Sequence, residues 1–505
     1  MSESPITFLR FVHLRGPSIW TYRPVLEALV DIGDLEDSPS DTIPGFPERL
    51  AALLPGLVEH RCSYEERGGF LRRLAEGTWP AHILEHVTLE LQNLAGMPGG
   101  FGRARSTSQR GVYKVAVRAW HEDITHTAMH SARDLVLAAM DPQAHGPFDV
   151  AEAVDRLNHL ADRLLLDPVT QRIADAATAK RRRIPAIELD GRNLVQLGYG
   201  ARALRIRTQT RNGAILVEAV DAAGALTEVE AASDLAGARG SGADGTCPAG
   251  DELVDRLFPR GNGGRIPLVG IAGSRGTTAV AQLIARLLAA EGGPVGLACA
   301  KGLFLDGVCL DQGDCAHWVP ARRLLLEPRC AIAVIENGRD ALLNEGLAYD
   351  RCQVGVLVNI DPELLPDDGY VDSPERLCAL MRTQVDVVLP NGVAVLNAAD
   401  PLVADMARLS DGEVIFFAAD PGHPVLRAHC AAGGRGLTLR GVRLCLVEGE
   451  GDALDLGPSP AAEAVGQVTD NVLAAVAAAW ALGLMPERLR SGIAALRSDS
   501  VGANP

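Results

Sequence analysis

The stretch IPLVGIAGSRGTTAVAQLIA, residues 266 to 285, decides the fold of this chain of 505 residues. An apolar run, a turn between two glycines and a helical pattern together form the layout of a phosphate-binding loop. In such a loop the backbone N–H groups and the positive end of the helix face phosphate, and a lysine reaches the terminal phosphates. Thr277 stands where that lysine is expected. The sequence therefore predicts a degenerate loop that has lost its cation.

Two other interpretations of this loop stay open. Arg275 lies two residues early, and its guanidinium differs from an ammonium group in reach and geometry, so it is a poor substitute for lysine. The segment also fits an ordinary turn between a strand and a helix that never bound nucleotide. Lysine is scarce in this chain and arginine abundant, but a codon bias of that kind would leave arginine at position 277.

Outward from this loop, apolar runs alternate with helical patterns over residues 265–505. The runs are IPLVGIAG, AIAVIEN, VGVLVNI and GVAVLN. Such alternation predicts an α/β domain with a doubly wound, mostly parallel sheet. The Ala-rich stretch from Val472 to Met485 is shorter than the roughly 20 residues of a membrane span, so it predicts a packed helix.

Two smaller segments precede this domain. Residues 1–160 combine the strand-like runs ITFLRFVHL and GVYKVAVRAW with helical patterns in YRPVLEALVDIG, AHILEHVTLELQNLAG and HSARDLVLAAM. This mixture predicts a small α+β domain. Residues 161–264 begin with a predicted helix through Ile173 and continue with short strands around IPAIEL, ARALRIRTQ and AILVEAV. A linker rich in glycine and small polar residues is predicted from Leu235 to Gly264.

Composition limits the classes of function. A net charge of −16 argues against nonspecific binding of nucleic acid, which depends on basic residues that neutralise phosphates. The ten cysteines include no CxxC pair, and the N-terminus shows no charged-then-apolar leader. We therefore expect reduced thiols, a cytoplasmic location, and neither a nucleic-acid nor a membrane partner.

A second motif lies in WPAHILEHVTLELQNLAG, where His82, Glu85 and His86 have the H-x-x-E-H spacing of inverted zincins. Histidines four residues apart share one face of a helix, so both imidazoles can reach one zinc ion while Glu85 acts on water. The alternative is a pair of helix-surface histidines without metal. A third ligand must come from elsewhere, and the candidates are Glu90, His60, Cys62, His121 and His126.

The order of several motifs resembles the cyanophycin synthetase family, bacterial enzymes that build a polymer with an aspartate backbone and arginine side chains. The motifs include LRGPSIW, GGFLRRLAEGTW, HILEHVTLELQNLAGMPGGFGRARST, LVQLGYGARALRI, IENGRDALLNEGLAYDRCQVGVLVNI and AVLNAADPLV. The resemblance implies an N-terminal domain that holds polymer and, in some members, trims it hydrolytically at the H-x-x-E-H motif. Cys62 and Arg103 fall in matching segments and are candidates for the same pocket. Their alternatives are a small buried side chain and a solvated or fold-stabilising charge.

The resemblance also implies two ATP-dependent ligase sites, and the chain departs from both. In the family an ATP-grasp module of a few hundred residues follows LVQLGYG, whereas roughly 60 residues separate Gly200 from Arg265 here. The family's Mur-ligase-like loop reads GTNGKTT where this chain has GSRGTTA, and the closing C-terminal domain of such ligases is expected to be missing. The residues that remain of the nucleotide and magnesium site are Gly273, Gly276, Thr277, Thr278, Glu336, Asn397 and Asp400. Retained folding polarity is the alternative explanation for the last three.

These departures predict a pseudoenzyme with weak or lost binding of ATP and magnesium. We expect a structural or regulatory partner in cyanophycin metabolism that joins itself as a dimer or tetramer, or joins an active cyanophycin synthetase. The first alternative is a zinc-dependent hydrolase that cleaves cyanophycin or its Asp-Arg peptides through the H-x-x-E-H site. Weaker alternatives are a polymer-binding module and a residual ATP-dependent amide ligase.

Overall fold

The computed structural model describes residues 4–179, 181–211, 214–231, 235, 248–259, 263–289, 292–366, 370–461 and 466–502. Its first unit contains the strands β1 (Thr7–Leu14), β2 (Val25–Asp31), β3 (Gly102–Ser106) and β4 (Val112–Arg118). Its helices are α1 (Phe46–Leu53), α2 (Gly69–Glu76), α3 (Pro80–Leu94), α4 (Glu122–Met140), α5 (Pro142–His145) and α6 (Val150–Leu164). The strands form an antiparallel sheet in the order β1-β2-β4-β3, and α3 and α4 pack together beside it.

The segment YRPVLEALVDIG forms strand β2 and not the predicted helix, so that prediction was wrong. β2 lies between β1 and β4, and consecutive side chains from Val25 to Ala28 are buried on both faces of the sheet. A short, unbroken apolar run fits a strand covered on both faces as well as it fits a helix. Glu27 within this run forms a buried ion pair of 2.9 Å with Lys114 on β4. This ion pair helps to hold β2 beside β4.

The second unit is an antiparallel sheet covered by two helices. Its elements are α7 (Pro168–Thr178), β5 (Ala186–Glu188), β6 (Leu194–Leu197), β7 (Leu204–Arg211), β8 (Ala214–Asp221), β9 (Leu226–Ala231) and α8 (Pro248–Leu257). The strand order is β5-β6-β7-β8-β9, and α7 packs against α8. Half of the predicted linker, residues 236–247 and 260–262, lies outside the described residues.

The third unit is a large sheet. Its strands are β10 (Leu268–Ala272), β11 (Val295–Cys299), β12 (Gly302–Leu305), β13 (Val308–Gln312), β14 (Ile332–Glu336), β15 (Cys352–Leu357), β16 (Val388–Asn397), β17 (Glu413–Ala418), β18 (Arg435–Arg440), β19 (Arg443–Glu448) and β20 (Leu454–Pro458). In the order β13-β12-β11-β14-β10-β15-β16-β17-β18-β19-β20, the strands from β11 to β18 are parallel and the outer pairs antiparallel. The predicted mostly parallel sheet is confirmed.

Helices cover both faces of this sheet. They are α9 (Thr277–Leu288), α10 (Trp318–Leu326), α11 (Arg339–Asn344), α12 (Pro374–Asp386), α13 (Pro401–Ala404), α14 (Pro424–Ala431), α15 (Gln467–Ala481) and α16 (Pro486–Gly502). Two separate apolar cores result, one beneath α9 and α15 and one beneath α10 and α12. The Ala-rich α15 is buried along most of its length, as predicted. Within the described ranges, every helix falls short of the length or apolarity that crossing a bilayer demands.

Candidate functional site

The H-x-x-E-H motif lies in α3, which begins at Pro80, where a missing N–H and a fixed φ suit the first helical turn. His82, Glu85 and His86 line a cavity of about 680 Å³. Strand β3 forms a second wall, and the segment 59–65 forms a third. Glu85 and His86 are each 6% exposed and His82 is half-buried, so the two histidines are not freely solvated on the helix surface.

Three side chains in this cavity form a group that could hold a metal ion. The ligand atoms of Cys62, His82 and His86 all lie within 4.8 Å of one another, and the Cys62 Sγ is 3.4 Å from His82 Nε2. Cys62 has a φ of 53°, a left-handed conformation that costs a non-glycine residue energy and is common at functional sites. The strained backbone thus places the thiol opposite the two imidazoles.

Glu90 does not belong to this group, so its prediction as third ligand needs correction. Its Oε2 lies 2.9 Å from His60 Nε2, and His60 Nδ1 lies 2.9 Å from His86 Nδ1. Four residues beyond His86, Glu90 is one turn further along α3 and reaches the group only through His60. His60 is therefore also a connecting side chain.

The same hydrogen bonds select the tautomers of the histidines. With the Glu90 carboxyl oxygen as acceptor, His60 donates from Nε2 and uses Nδ1 to accept the Nδ1–H of His86. His86 then presents a lone pair at Nε2. In His82, Nδ1 lies 2.8 Å from the Thr78 hydroxyl, and donation to that oxygen leaves a lone pair at Nε2. In these tautomers each of the two histidines keeps one lone pair for a Lewis acid, and that of His82 lies on the nitrogen 3.4 Å from the Cys62 Sγ.

Burial also keeps these groups uncharged. It lowers the pKa of His82 to about 4, with help from the charges of Arg73 and Arg105. It lowers the pKa of His86 well below the usual value, with added repulsion from His82 and His60. Burial raises the pKa of Glu85 to about 7, although Arg103, Arg105 and the backbone N–H of Ala104 oppose the rise. A carboxyl group with this pKa can both take up and release a proton near neutral pH.

Several residues that shape the cavity were not predicted from the sequence. Gly102 makes room for Glu85, because a Cβ at that position would lie 2.6 Å from the Glu85 Cγ. Gly56 makes room for Glu90 in the same way, with a Cβ 1.8 Å from Oε1. Phe70 stacks on His86 at 4.0 Å between ring centroids and holds the imidazole plane. The glycines in GFGRARS and LLPGLVE could have been found only by knowing what packs against them.

The remaining candidates divide between the cavity and other places. Arg103 lines the cavity from β3, as does Arg105, which the sequence analysis did not single out. His121 caps α4 by accepting the N–H of Asp123, and His126 packs against the Phe11 ring. These two histidines lie outside the metal-capable group formed by described residues.

The donor set fits zinc. One thiolate and two imidazoles are borderline-soft ligands that zinc prefers, and three protein ligands leave a coordination position for water or substrate, as in catalytic sites. The hydrogen bonds from Thr78 and His60 supply the outer support that such ligands commonly have.

The degenerate loop lies between β10 and α9, with Gly276 in a left-handed conformation at the start of the helix. Glu336 is 4% exposed, and its Oε1 accepts hydrogen bonds from the hydroxyls of Thr277 at 2.6 Å and Thr278 at 2.8 Å. Its Oε2 accepts the N–H of Ala300 at 2.8 Å. The hydroxyls that would face a nucleotide and its metal are thus bonded to the protein's own carboxylate.

The neighbours of this loop are also engaged within the protein. Arg275 pairs with Asp361 at 2.8 Å. Asn397 donates to the carbonyl of Val358, and Asp400 caps α13 while accepting the N–H of Ile360 at 2.7 Å. Gly273 lies against Val358 and Asn359 with its φ at 157°. These contacts hold loops in place.

Comparison with known proteins shows what the units that contain these two sites are similar to. The model of the cyanophycin synthase-like N-terminal domain matches residues 27–141. The chain is 26% identical to a cyanophycin synthetase of Geminocystis herdmanii, over 97% of this chain and 82% of the relative. It is 28% identical to a UDP-N-acetylmuramoyl-L-alanyl-D-glutamate-2,6-diaminopimelate ligase of Geobacter metallireducens, over 45% and 44% of the two chains. A solved structure of a ligase of that name covers 45% of this chain and 46% of its own, with 15% identity and a TM-score of 0.34.

The first unit is therefore a cyanophycin synthase-like N-terminal domain. Over nearly its whole length the chain is similar to cyanophycin synthetases, in agreement with the resemblance seen in the sequence. The match to the Geminocystis protein spans 725 aligned positions, of which this chain can fill only about 490. About 235 positions consequently have no counterpart in this chain.

Proposed function

We propose that this chain is a zinc-dependent hydrolase that cleaves cyanophycin or its Asp-Arg peptides in the cavity of the N-terminal domain. The observation that supports this proposal best is the convergence of Cys62, His82 and His86 within 4.8 Å, beside the buried Glu85 in the same cavity. The relationship to cyanophycin synthetases supports the choice of substrate.

Different residues of the cavity bind the metal, transfer the proton and bind the substrate in the proposed reaction. Cys62, His82 and His86 would hold zinc, which supplies Lewis acidity toward a carbonyl oxygen when bound. Glu85 takes the proton of the attacking water and returns it to the leaving amine. Arg103 and Arg105 offer guanidinium groups to carboxylates of the substrate.

The rim of the cavity suits a substrate that also carries positive charge. Glu59 and Glu65 line the opening and are exposed. Exposed carboxylates and the exposed guanidinium groups of Arg103 and Arg105 line the same cavity and together complement a peptide that presents both arginine side chains and carboxylates.

The test measures metal content and cleavage on the same preparation. We expect about one zinc per chain by mass spectrometry of the metals, and release of Asp-Arg peptides from cyanophycin. A chelator should stop the release, and added zinc should restore it. Purified chain that neither binds zinc nor cleaves the polymer when zinc is supplied would contradict the proposal.

A second proposal concerns the rest of the chain: it acts as a structural or regulatory partner that does not ligate. It is supported by the threonine at position 277, the hydrogen bonds that engage Glu336, and the unmatched positions in the family alignment. The experiment combines calorimetry with Mg-ATP and co-purification with an active cyanophycin synthetase. We expect no heat of nucleotide binding and a change in polymer length on mixing. Incorporation of arginine by this chain alone would overturn it.

A further inference from the structure

A second cavity, of about 610 Å³, lies where the three units meet. The N-terminal domain contributes Arg15 and Tyr22, the second unit contributes Glu188, and the third contributes Trp318 and Arg322. Sites of this size at domain junctions commonly bind small molecules.

Fixed contacts between the units build the walls of this cavity. The N–H of Arg15 donates to the carbonyl of Glu345 at 2.7 Å, and the N–H of Leu347 donates to Pro17 at 2.8 Å. Gly16 lies so close to this segment that a Cβ would be 2.1 Å from the Leu347 oxygen. The cavity is therefore a defined feature of the fold and not a loose gap between units.

Two arginines share one aromatic ring on its wall. The guanidinium carbons of Arg15 and Arg322 each lie 4.9 Å from the centroid of Trp318. Arg322 donates to the carbonyl of Ala348 at 3.2 Å, and among the described residues neither arginine has a carboxylate within ion-pair distance. Arg265 nearby shows the usual alternative, since it is paired with Asp350. Two unpaired cations at one ring repel each other and favour an anionic ligand.

An acidic side chain faces the same space. Glu188 is accessible within the cavity, yet the surrounding protein raises its pKa, and the charge of Arg322 opposes the rise. Asp190 lines the cavity as well. A simple anion would be attracted to Arg15 and Arg322 but repelled by these carboxylates. A molecule that carries both a negative and a positive charge can bind to the arginines and to the carboxylates at once.

We infer that this interdomain cavity binds a small zwitterion of the size of an amino acid or dipeptide. Its carboxylate lies against Arg15 and Arg322, and its cationic end lies toward Glu188. The aromatic rings of Trp318 and Tyr22 cover its apolar part. This site is independent of the hydrolytic cavity, because it shares no residue with it.

Calorimetry on the full chain tests the inference with L-arginine as the probe. Three control compounds are compared with it. Agmatine lacks the carboxylate, glutarate lacks the cation, and inorganic phosphate is a simple anion. We expect L-arginine to bind at least about tenfold more tightly than each of them. Equal binding of agmatine or phosphate, or no binding of L-arginine, would overturn the inference.

Variants locate the binding. Arg322→Gln and, separately, Arg15→Gln should each weaken L-arginine binding by roughly tenfold, since each removes one charge from the carboxylate. Arg207→Gln, on the exposed face of β7, and Arg103→Gln, in the other cavity, should leave it unchanged. Unchanged binding in both Arg322→Gln and Arg15→Gln, or lost binding in Arg103→Gln, would contradict the assignment. Thermal melting without ligand shows whether each variant is folded.

Discussion

A buried glutamate lies in the cavity beside α3 and another lies beside the loop between β10 and α9, and the two carboxyl groups differ in how fully they are hydrogen-bonded. Glu336 is 4% exposed and receives three hydrogen bonds, from Thr277, Thr278 and Ala300. Glu85 is 6% exposed, and burial raises its pKa to about 7 while the N–H of Ala104 offers partial compensation. A carboxylate that is fully hydrogen-bonded stabilises the fold, whereas one left partly uncompensated remains available for proton transfer.

The largest expected effect is on Glu85. Glu85→Gln keeps the shape of the side chain but removes the proton acceptor, so cleavage of cyanophycin should fall by roughly a thousandfold. Zinc content should not change, because Cys62, His82 and His86 remain. Glu152→Gln, on the exposed surface of α6 and outside the cavity, is the matched control and should alter the rate little. If Glu85→Gln still cleaves cyanophycin, Glu85 does not transfer the proton and would differ from Glu336 only in its hydrogen bonds.

The raised pKa of Glu85 also predicts how stability depends on pH in the metal-free chain. The folded state holds this proton more tightly than the unfolded state, whose pKa is near 4.5. The resulting stabilisation is present below about pH 4.5 and is lost as pH rises to about 7, a change on the order of 3 kcal/mol. Urea unfolding with a chelator present measures it.

Glu85→Gln is the internal comparison for this pH dependence. The variant has no proton to lose, so its stability should decline less between pH 4.5 and 7 and should exceed that of the natural chain at pH 8. If the stability of the variant and that of the natural chain change with pH in parallel, the protein already stabilises the Glu85 carboxylate as fully as it stabilises that of Glu336.

Glu90 gives the next largest effect. In the arrangement seen here it acts on the metal only through His60 and His86, so Glu90→Gln should weaken zinc binding by about 10- to 100-fold. Competition with a zinc-binding dye measures the affinity. A complete loss of zinc, equal to that of His86→Ala, would mean that Glu90 is a direct ligand, as the sequence suggested.

The sequence predicted the large sheet well, because buried parallel strands are apolar runs separated by helices and turns. It failed at β2, where an unbroken apolar run has the same composition in a strand and in a helix. The H-x-x-E-H motif placed three side chains correctly relative to one another, since helix geometry fixes neighbours four residues apart. Cys62, His60 and Gly102 approach α3 from other elements. Where these residues lie relative to α3 depends on how the elements of the domain pack together. The periodicity of the sequence within one helix or strand does not predict that packing.

Thr277 gives the smallest predicted effect and tests the other half of the comparison. Thr277→Val removes one of the three hydrogen bonds to the Glu336 carboxylate while keeping the side-chain volume, so the free energy of unfolding should fall by about 1–2 kcal/mol. Thr210→Val, at an exposed position of strand β7, is the matched control and should change stability little. Cleavage of cyanophycin should be unaffected in both variants, because the loop lies outside the hydrolytic cavity. If Thr277→Val instead leaves stability unchanged and lowers binding of Mg-ATP, the hydroxyl serves a nucleotide, and the loop is not the purely structural feature that its hydrogen bonds to Glu336 indicate.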